Sequence, residues 1–187
     1  MTIQQYSKIA PETLLKELEL WSVPVDLYAI CDKLNINTQT SAEWDKNHSG
    51  EIKVDDQRNV NIWINSFDAP NRQRFTLAHE IAHFINDILP DIETVGLNDK
   101  FEDGEKTLNR DGRQNPVEYR ANDFAARLLM PKALVIKHGK SMLKHLKSTL
   151  GVEKVPLEKF VAALAAEFEV SEQAMEIRLR NIGIIRS

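Results

Sequence analysis

The stretch from Thr76 to His83 has the sequence Thr-Leu-Ala-His-Glu-Ile-Ala-His, which contains the pattern His-Glu-x-x-His. Four residues turn an α-helix by a little more than one revolution, so His79 and His83 project side by side from a helix. Two imidazole nitrogens placed in this way can share one tetrahedral Zn²⁺ at about 2.0 to 2.1 Å. Glu80 lies about 100° further round, beside such an ion rather than on it. The stretch therefore predicts a metal site on a helix, with Glu80 as general base.

The flanking residues favour a helix that continues to about Asn86. Asp68 is the expected N-cap ahead of Pro70, and Pro90 follows the end of the pattern. An apolar stripe occupies the side of this helix opposite the two histidines, and it consists of Leu77, Ile81, Phe84, Ile85 and Ile88. The alternative, that the motif is a chance pair of surface histidines, is disfavoured because the helix has one core face and one polar face.

A catalytic zinc site uses three protein ligands, so a third residue must join the histidines. The extension that supplies a third histidine in metzincins is absent, because Asn86 and Leu89 stand where its glycine and histidine would be. Glu118, early on the next predicted helix, is the best candidate, and Asn122 lies one turn later on the same face. An amide there can hydrogen-bond the far nitrogen of a liganding histidine and set its tautomer.

Two alternatives to Glu118 as the ligand remain open. The run Asn115-Pro116-Val117-Glu118 also fits a capping box, in which Glu118 would only cap its own helix. The segment 91–114 is rich in Asp, Glu, Asn and Gly, which predicts a long surface loop. Its acidic residues are rival ligands or simply a solvated surface, and they include Asp91, Glu93, Glu102, Asp103 and Glu105.

The N-terminal part of the chain predicts helices first and strands afterwards. Apolar spacing indicates helices at 11–20 and 25–34. Between residues 50 and 64, apolar and polar positions alternate on both sides of a turn at 55–58, which predicts a β-hairpin. We expect this hairpin to offer an exposed edge strand to an extended peptide.

The predicted fold class is α+β, a mostly helical domain with a small antiparallel β-sheet beside the helix of His79 and His83. We expect residues 1–187 to form one domain. Its parts are N-terminal helices in 1–48, the hairpin and the helices of His79 and Glu118 in 49–131, and C-terminal helices in 132–187. The predicted C-terminal helices span 133–149 and 157–168, and a last one ends at about Asn181, giving a helix-turn-helix-like end.

Composition excludes several classes of protein. The net charge of -4 gives no general attraction to nucleic-acid phosphates. Cys31 is the only cysteine, which excludes an internal disulfide framework and a multi-cysteine zinc finger and fits a reducing compartment. No segment has the unbroken apolar length of a signal peptide or a membrane span. We therefore expect a cytoplasmic protein that binds neither nucleic acid nor membranes.

Several stretches together resemble the ImmA/IrrE family of metallopeptidases, whose core is similar to the thermolysin-like gluzincins. They are RQRFTLAHEIAH at 72–83, EYRANDFAARLLMP at 118–131 and LAAEFEVSEQAMEIRLRNIGII at 164–185, together with the hairpin and PVDLYAICDKLNI at 24–36. The resemblance implies zinc bound by His79, His83 and Glu118, with Glu80 catalytic and Asn122 supporting a histidine. A His, His, Glu site also accepts Mn²⁺, Fe²⁺ or Co²⁺.

The same resemblance implies an endopeptidase whose substrate is a protein. In this family the substrate is commonly a helix-turn-helix transcriptional repressor encoded nearby, whose cleavage releases genes of mobile elements, stress response or toxin–antitoxin type. Only about 24 residues precede the PVDLYAICDKLNI segment, too few for a fused repressor domain. We therefore expect the repressor or antitoxin to be recognised in trans.

Two other functions compete with this interpretation. One is a DNA-binding regulator, because 157–180 has a helix-turn-helix-like pattern, although Glu169 stands in the turn and Glu172 and Glu176 lie on the last helix. The other is a metal-retaining binding or sensor protein without hydrolysis. Glu80 argues against it, because a structural site needs no general base and closes its fourth position with another protein ligand.

Overall fold

The computed structural model describes residues 3–45, 48–92, 101–104 and 115–186. The predicted α+β class is confirmed, and the predicted helices and hairpin are present. The elements are α1 (Pro11–Glu17), α2 (Leu27–Lys33), β1 (Ile36–Ser41), β2 (His48–Val54), β3 (Val60–Asn65), α3 (Pro70–His83), β4 (Phe101–Gly104), α4 (Pro116–Leu129), α5 (Lys132–Leu150), α6 (Leu157–Phe168) and α7 (Glu172–Asn181).

The sheet has the strand order β1-β3-β2-β4. The hairpin prediction is confirmed, because β2 and β3 are antiparallel with Ile52 opposite Ile62. The expectation of a purely antiparallel sheet is wrong, because β1 runs parallel to β3. Strands β1 and β2 are consecutive in the chain but do not pair with each other, because β3 lies between them in the sheet. Only Ile36 of the six β1 residues is buried, so the sequence of this strand lacks the alternation that reveals one.

The hairpin has no free edge at β2. Strand β2 pairs with β3 on one side and with β4, antiparallel, on the other. The expectation that the hairpin offers an exposed edge strand is therefore wrong, and the outer strands of the described sheet are β1 and β4. Strand β4 interrupts the predicted loop of 91–114, whose polar composition conceals it. The remainder of that prediction, at 93–100 and 105–114, lies outside the described residues.

Helix α3 starts as predicted at Pro70, but its N-cap residue is Ala69, which makes no side-chain capping bond. The expectation that Asp68 caps the helix is wrong. Its Oδ2 instead lies 3.3 Å from Nε of Arg72, one turn into the helix. After His83 the helix continues as a π-helical turn over Phe84–Ile88.

Helix α3 lies at the centre of the described structure, with β2 and β3 on one side and α4 on another. Ile52 and Ile62 of the sheet and Ile81 of the helix are completely buried. Thr76–His83, the last eight residues of α3, are all buried as well. The helix is therefore enclosed by packing along the turn that carries His79 and Glu80.

Arg74 connects α3 to both ends of the chain. Its Nη2 donates a hydrogen bond to the backbone oxygen of Val25, just before α2 (3.0 Å). Its Nη1 lies 3.2 Å from Oε2 of Glu169, in the turn between α6 and α7. Glu169 has the left-handed backbone conformation (φ 52°) that closes a helix, usually with glycine. One arginine thus holds the N-terminal and C-terminal segments against the same helix.

The close approach of the sheet to α3 requires a glycine at position 50. A Cβ at Gly50 would lie 2.3 Å from Cγ2 of Thr76, 3.2 Å from the backbone oxygen of Trp63 and 3.4 Å from Oε1 of Glu80. We predict that Gly50→Ala lowers the free energy of unfolding by about 1 to 3 kcal/mol, the usual cost of overpacking. Urea denaturation of the purified proteins measures this difference.

Gly139→Ala in α5 is the matched control. A Cβ there would meet Cζ of Phe160 at 3.4 Å, an ordinary contact, and alanine favours the helix over glycine by up to about 1 kcal/mol. This variant should equal or exceed the wild type in stability. A Gly50→Ala protein as stable as the wild type would show that the sheet can move away from α3 at no cost.

Candidate metal centre

Three side chains that can bind a metal converge where α3 meets α4. Nε2 of His79 and Nε2 of His83 are 2.9 Å apart. Oε2 of Glu118 lies 3.2 Å from Nε2 of His79, and its Oε1 lies 3.5 Å from Nε2 of His83. The structure thus brings together the three residues that the sequence predicts as ligands, and their candidate ligand atoms all lie within 4.8 Å of one another.

The spacing of these atoms fits one small divalent ion. Two atoms bound at about 2.0 to 2.1 Å in a tetrahedral arrangement lie about 3.3 to 3.4 Å apart. Nε2 of His79 lies 2.9 Å from Nε2 of His83 and 3.2 Å from Oε2 of Glu118, close to that value, and the other carboxylate oxygen, Oε1, lies 3.5 Å from Nε2 of His83. Two imidazoles and a carboxylate form a donor set that suits zinc and fills three of its four positions. The fourth position would stay open to water or substrate.

Local structure explains how Glu118 reaches the histidines. Asn115 caps α4, because its Oδ1 accepts a hydrogen bond from the backbone N–H of Val117 (3.0 Å). The carboxylate of Glu118 points to His79 and His83 instead. Asn115 is thus the N-cap that a capping box requires, but Glu118 does more than cap its own helix, because its carboxylate lies beside both histidines. Position 118 comes in the first turn of α4, where that helix packs on α3.

Each histidine also has a polar partner at Nδ1, the ring nitrogen that does not take part in the cluster. Oδ1 of Asn122 lies 3.0 Å from Nδ1 of His79, which is the hydrogen bond that the sequence analysis expects of this residue. Oδ2 of Asp87 lies 2.9 Å from Nδ1 of His83. Acceptors at both Nδ1 atoms favour the tautomers with a free lone pair at Nε2, which faces the cluster.

Sequence analysis missed Asp87. This residue follows His83 by four positions, the same spacing that relates Glu118 to Asn122, and that spacing is the pattern that points to it. The aspartate lies in the π-helical turn, between the buried residues Ile85 and Ile88. Its Oδ1 also lies 3.7 Å from Nη2 of Arg120 on α4. An isolated acid in an apolar stretch is easily read as a solvent-facing position.

The charges of the cluster are strongly coupled. Burial lowers the pKa of His83, but hydrogen bonds to Asp87 and Glu118 and the charges of Glu80 and Glu118 outweigh it and raise that pKa to about 9. Hydrogen bonds from His79 and His83 lower the pKa of Glu118 to about 2, although burial opposes the shift. Without a metal, the site at neutral pH therefore contains a protonated His83 beside an ionised Glu118.

Glu80 lies next to the cluster and is not one of its three members. Its side chain is completely buried, and a Cβ added at Gly50 would lie 3.4 Å from its Oε1. Its charge helps to raise the pKa of His83, so the carboxylate faces the site. A buried carboxylate beside an open metal position has the placement that a general base needs.

The rival acidic ligands do not belong to this cluster of described side chains. Among the described residues, the cluster of metal-binding side chains consists of His79, His83 and Glu118, and it does not include Asp91. Glu102 and Asp103 belong to β4, of which the backbone alone is described, and Glu93 and Glu105 lie outside the described residues.

The two arginines of α7 are engaged within the protein. Nε of Arg178 donates a hydrogen bond to the backbone oxygen of Met130 (2.9 Å), and its side chain is buried. Arg180 pairs with Glu176 one turn earlier on α7. These contacts give the helix-turn-helix-like end a packing role. Across the described ranges, no helix is both long and apolar enough to cross a membrane.

Comparison with known proteins places the site in a peptidase context. The family model of the IrrE N-terminal-like domain, a peptidase family, matches residues 31–180. The radiation response metalloprotease IrrE of Deinococcus radiodurans is 39% identical over 85 residues, which cover 43% of this chain and 22% of that protein. The protein of the same name from Deinococcus deserti is 41% identical over 78 residues, covering 40% and 24%. The match thus spans less than a quarter of either relative.

The acceptors behind the histidines should determine how tightly the site binds a divalent ion. We predict that Asn122→Ala and Asp87→Ala each weaken Zn²⁺ binding about 10- to 100-fold, because each removes the group that orients a histidine ring. Titration against a chromophoric zinc chelator measures the affinity. Asp123→Ala is the matched control on α4, since Asp123 is half-exposed and contacts Arg127 rather than a histidine. Equal affinities in all four proteins would contradict the assigned roles.

The raised pKa of His83 gives the metal-free protein a distinctive dependence on pH. The pKa rises from 6.5 in the unfolded chain to about 9 in the folded protein. The folded state binds this proton more tightly, so the resulting stability is complete below pH 6.5 and is lost as the pH rises through 9. We predict that the free energy of unfolding, measured with urea and a metal chelator, falls over this interval. The fall should be smaller in His83→Gln, and an equal fall in both proteins would contradict the prediction.

Proposed function

Because the chain belongs to the IrrE N-terminal-like family of metallopeptidases, we propose that it is a zinc-dependent endopeptidase that cleaves a protein substrate. The observation that carries this proposal is the convergence of His79, His83 and Glu118, with Glu80 buried beside them. Three ligands with an open fourth position are typical of catalytic rather than structural zinc sites. Mn²⁺, Fe²⁺ and Co²⁺ suit the same donor atoms, and we propose that zinc is the ion used among these four.

Each residue has a distinct part in the proposed reaction. When bound, the divalent ion supplies Lewis-acid chemistry, lowering the pKa of a water molecule and polarising the scissile carbonyl. Glu80 takes the proton of the attacking water and later delivers it to the leaving amine. His79, His83 and Glu118 hold the ion, while Asn122 and Asp87 fix the two imidazole rings. Because Glu80 and the histidines are buried, their charges act in a medium of low dielectric constant, where they are strongest.

We further propose that the substrate is a helix-turn-helix transcriptional repressor or an antitoxin, bound in trans. The basis is the resemblance of the three motifs at 72–83, 118–131 and 164–185 to the ImmA/IrrE peptidases. The relatives from Deinococcus are named radiation response metalloproteases, which associates them with a response to radiation. Cleavage of a repressor gives such a response directly, since it releases the repressed genes. The proposed site of action is accordingly the cytoplasm.

The substitution Glu80→Gln tests the proposed chemistry, because it keeps the shape of the side chain but removes the base. We predict about one metal ion per chain in both proteins by elemental analysis. The wild type should cleave the helix-turn-helix protein encoded beside its gene, and Glu80→Gln should cleave it more slowly by about 100-fold or more. Mass spectrometry of the products identifies the cleaved bond, and His145→Gln, on the exposed part of α5, is the control.

Different results would exclude different parts of the proposal. A protein that takes up no metal when it is supplied would exclude the metallopeptidase. Cleavage of denatured casein by the wild type but not of the neighbouring repressor would exclude the repressor as substrate and leave the peptidase standing. Metal binding with no cleavage of any protein would favour the metal-retaining sensor.

A further inference from the structure

A pocket lies next to His79, on the Nδ1 side of its ring and away from the metal cluster. Its volume is about 310 Å³, near the lower end of the range for small-molecule sites, which is about 300 to 1,000 Å³. Asn122 lines the pocket and also places its Oδ1 3.0 Å from Nδ1 of His79. The metal ligands and Glu80 are not among the described residues that line it. An occupant of this pocket would therefore lie beside the metal centre without covering its open position.

Helices α3, α4 and α7 build the pocket, and most of its wall is apolar. The apolar lining residues are Phe75, Tyr119, Ala126, Met130, Ala174 and Ile177. Tyr119 is 61% exposed and Ile177 is 48% exposed, although large apolar side chains are usually covered. A ligand with an apolar body would cover both of them and gain the free energy of that burial.

One buried cation, Arg178, lies in this apolar wall. The residue is 8% exposed, and its Nε donates a hydrogen bond to the backbone oxygen of Met130 (2.9 Å). Neither Nη1 nor Nη2 donates a hydrogen bond to any residue that the structure describes. A guanidinium has five N–H donors, and buried donors that lack an acceptor are costly. The terminal nitrogens of Arg178 are therefore available to a ligand in the pocket.

The charge of Arg178 is only partly balanced by the protein. Burial lowers the pKa of this arginine, and the charges of Glu12 and Asp123 offset this effect only in part. Both carboxylates pair with Arg127 instead, at 2.7 Å and 3.4 Å. Asp123 also lines the pocket, but its side chain is 50% exposed, so water screens its repulsion of an anion. An anionic group beside Arg178 would supply the charge that is missing here.

We propose that this pocket is a regulatory site for a small carboxylic acid with a branched or aromatic apolar body. The carboxylate pairs with the terminal nitrogens of Arg178, since a guanidinium binds a carboxylate through two parallel hydrogen bonds. The apolar body covers Tyr119 and Ile177. The bound acid packs against Asn122, keeps its amide on Nδ1 of His79 and so strengthens metal binding. Such binding goes beyond the proposed peptidase function, because it requires no catalysis.

Nuclear magnetic resonance on the zinc-loaded protein, labelled at its methionine and isoleucine methyl groups, tests this site. The signals of Met130 and Ile177 report binding, and an excess of acetohydroxamate occupies the open metal position throughout. The probes are 4-methylpentanoate, 4-methylpentanol, which lacks the charge, and acetate, which lacks the apolar body. We expect 4-methylpentanoate to bind about 10-fold or more tightly than either of the other two probes.

The substitution Arg178→Gln removes the charge and should reduce the advantage of the acid over the alcohol to about threefold or less. Arg180→Gln is the matched control on α7, because Arg180 is half-exposed, pairs with Glu176 and does not line the pocket. It should keep the full advantage. Ala174→Leu narrows the pocket and leaves Arg178 in place, and it should weaken the binding of 4-methylpentanoate about 10-fold.

Equal binding of the acid and the alcohol by the wild type would overturn the anionic site, and so would an unchanged advantage in Arg178→Gln. Equal binding of the acid and acetate, or undiminished binding of the acid by Ala174→Leu, would overturn the apolar pocket. Without acetohydroxamate, saturating 4-methylpentanoate should tighten Zn²⁺ binding about threefold or more, measured against a chromophoric chelator. No gain, or an equal gain in Arg178→Gln, would overturn the regulatory role. Binding of the acid by a wild type that cleaves no protein would support this site and remove only the peptidase.

Discussion

Helix α3 buries His79, Glu80 and His83 within five consecutive positions, between the sheet and α4. Ionisable groups are costly to bury unless they have partners. The partners come from outside the motif, namely Glu118 and Asn122 on α4 and Asp87 on the turn that follows α3. The packing of α4 on α3 is thus the constraint on which the remaining geometry depends. On the opposite side of α3, Gly50 allows the sheet to pack closely, because a larger residue there would separate the sheet from the helix.

The sequence predicts the centre of the site better than its surroundings. The spacing of His79 and His83 leaves one helical geometry that suits a metal, and the i, i+4 relation between Glu118 and Asn122 identifies a partner pair. The parallel strand β1 could not be predicted, because it buries one residue in six and its pairing is set by β3, which comes much later in the chain. Strand β4 lies in a polar segment, and its only described pairing is to β2. Such pairings between distant segments leave little local pattern.

Helices α6 and α7 illustrate how a pattern can predict the shape of an element without its purpose. Their boundaries agree with the prediction from apolar spacing, and the intervening turn has the left-handed residue that such a connection needs. Helical periodicity alone does not encode what such a helix packs against. Only the structure shows that Arg178 on α7 points inward and donates to the backbone oxygen of Met130.

Arg74 has a consequence for how the molecule comes apart. One nitrogen of its guanidinium donates to the backbone of Val25, and another pairs with Glu169. Because the guanidinium is planar and has donors in several directions, it joins two segments that are far apart in the sequence. If either segment detaches, the partly buried guanidinium of Arg74 loses one of its two partners. Arg74 lies on α3, five residues before His79. Fraying at one end of the chain therefore raises the energy of the other end and of the central helix. The two ends and α3 should consequently exchange their amide hydrogens as one cooperative unit rather than opening separately.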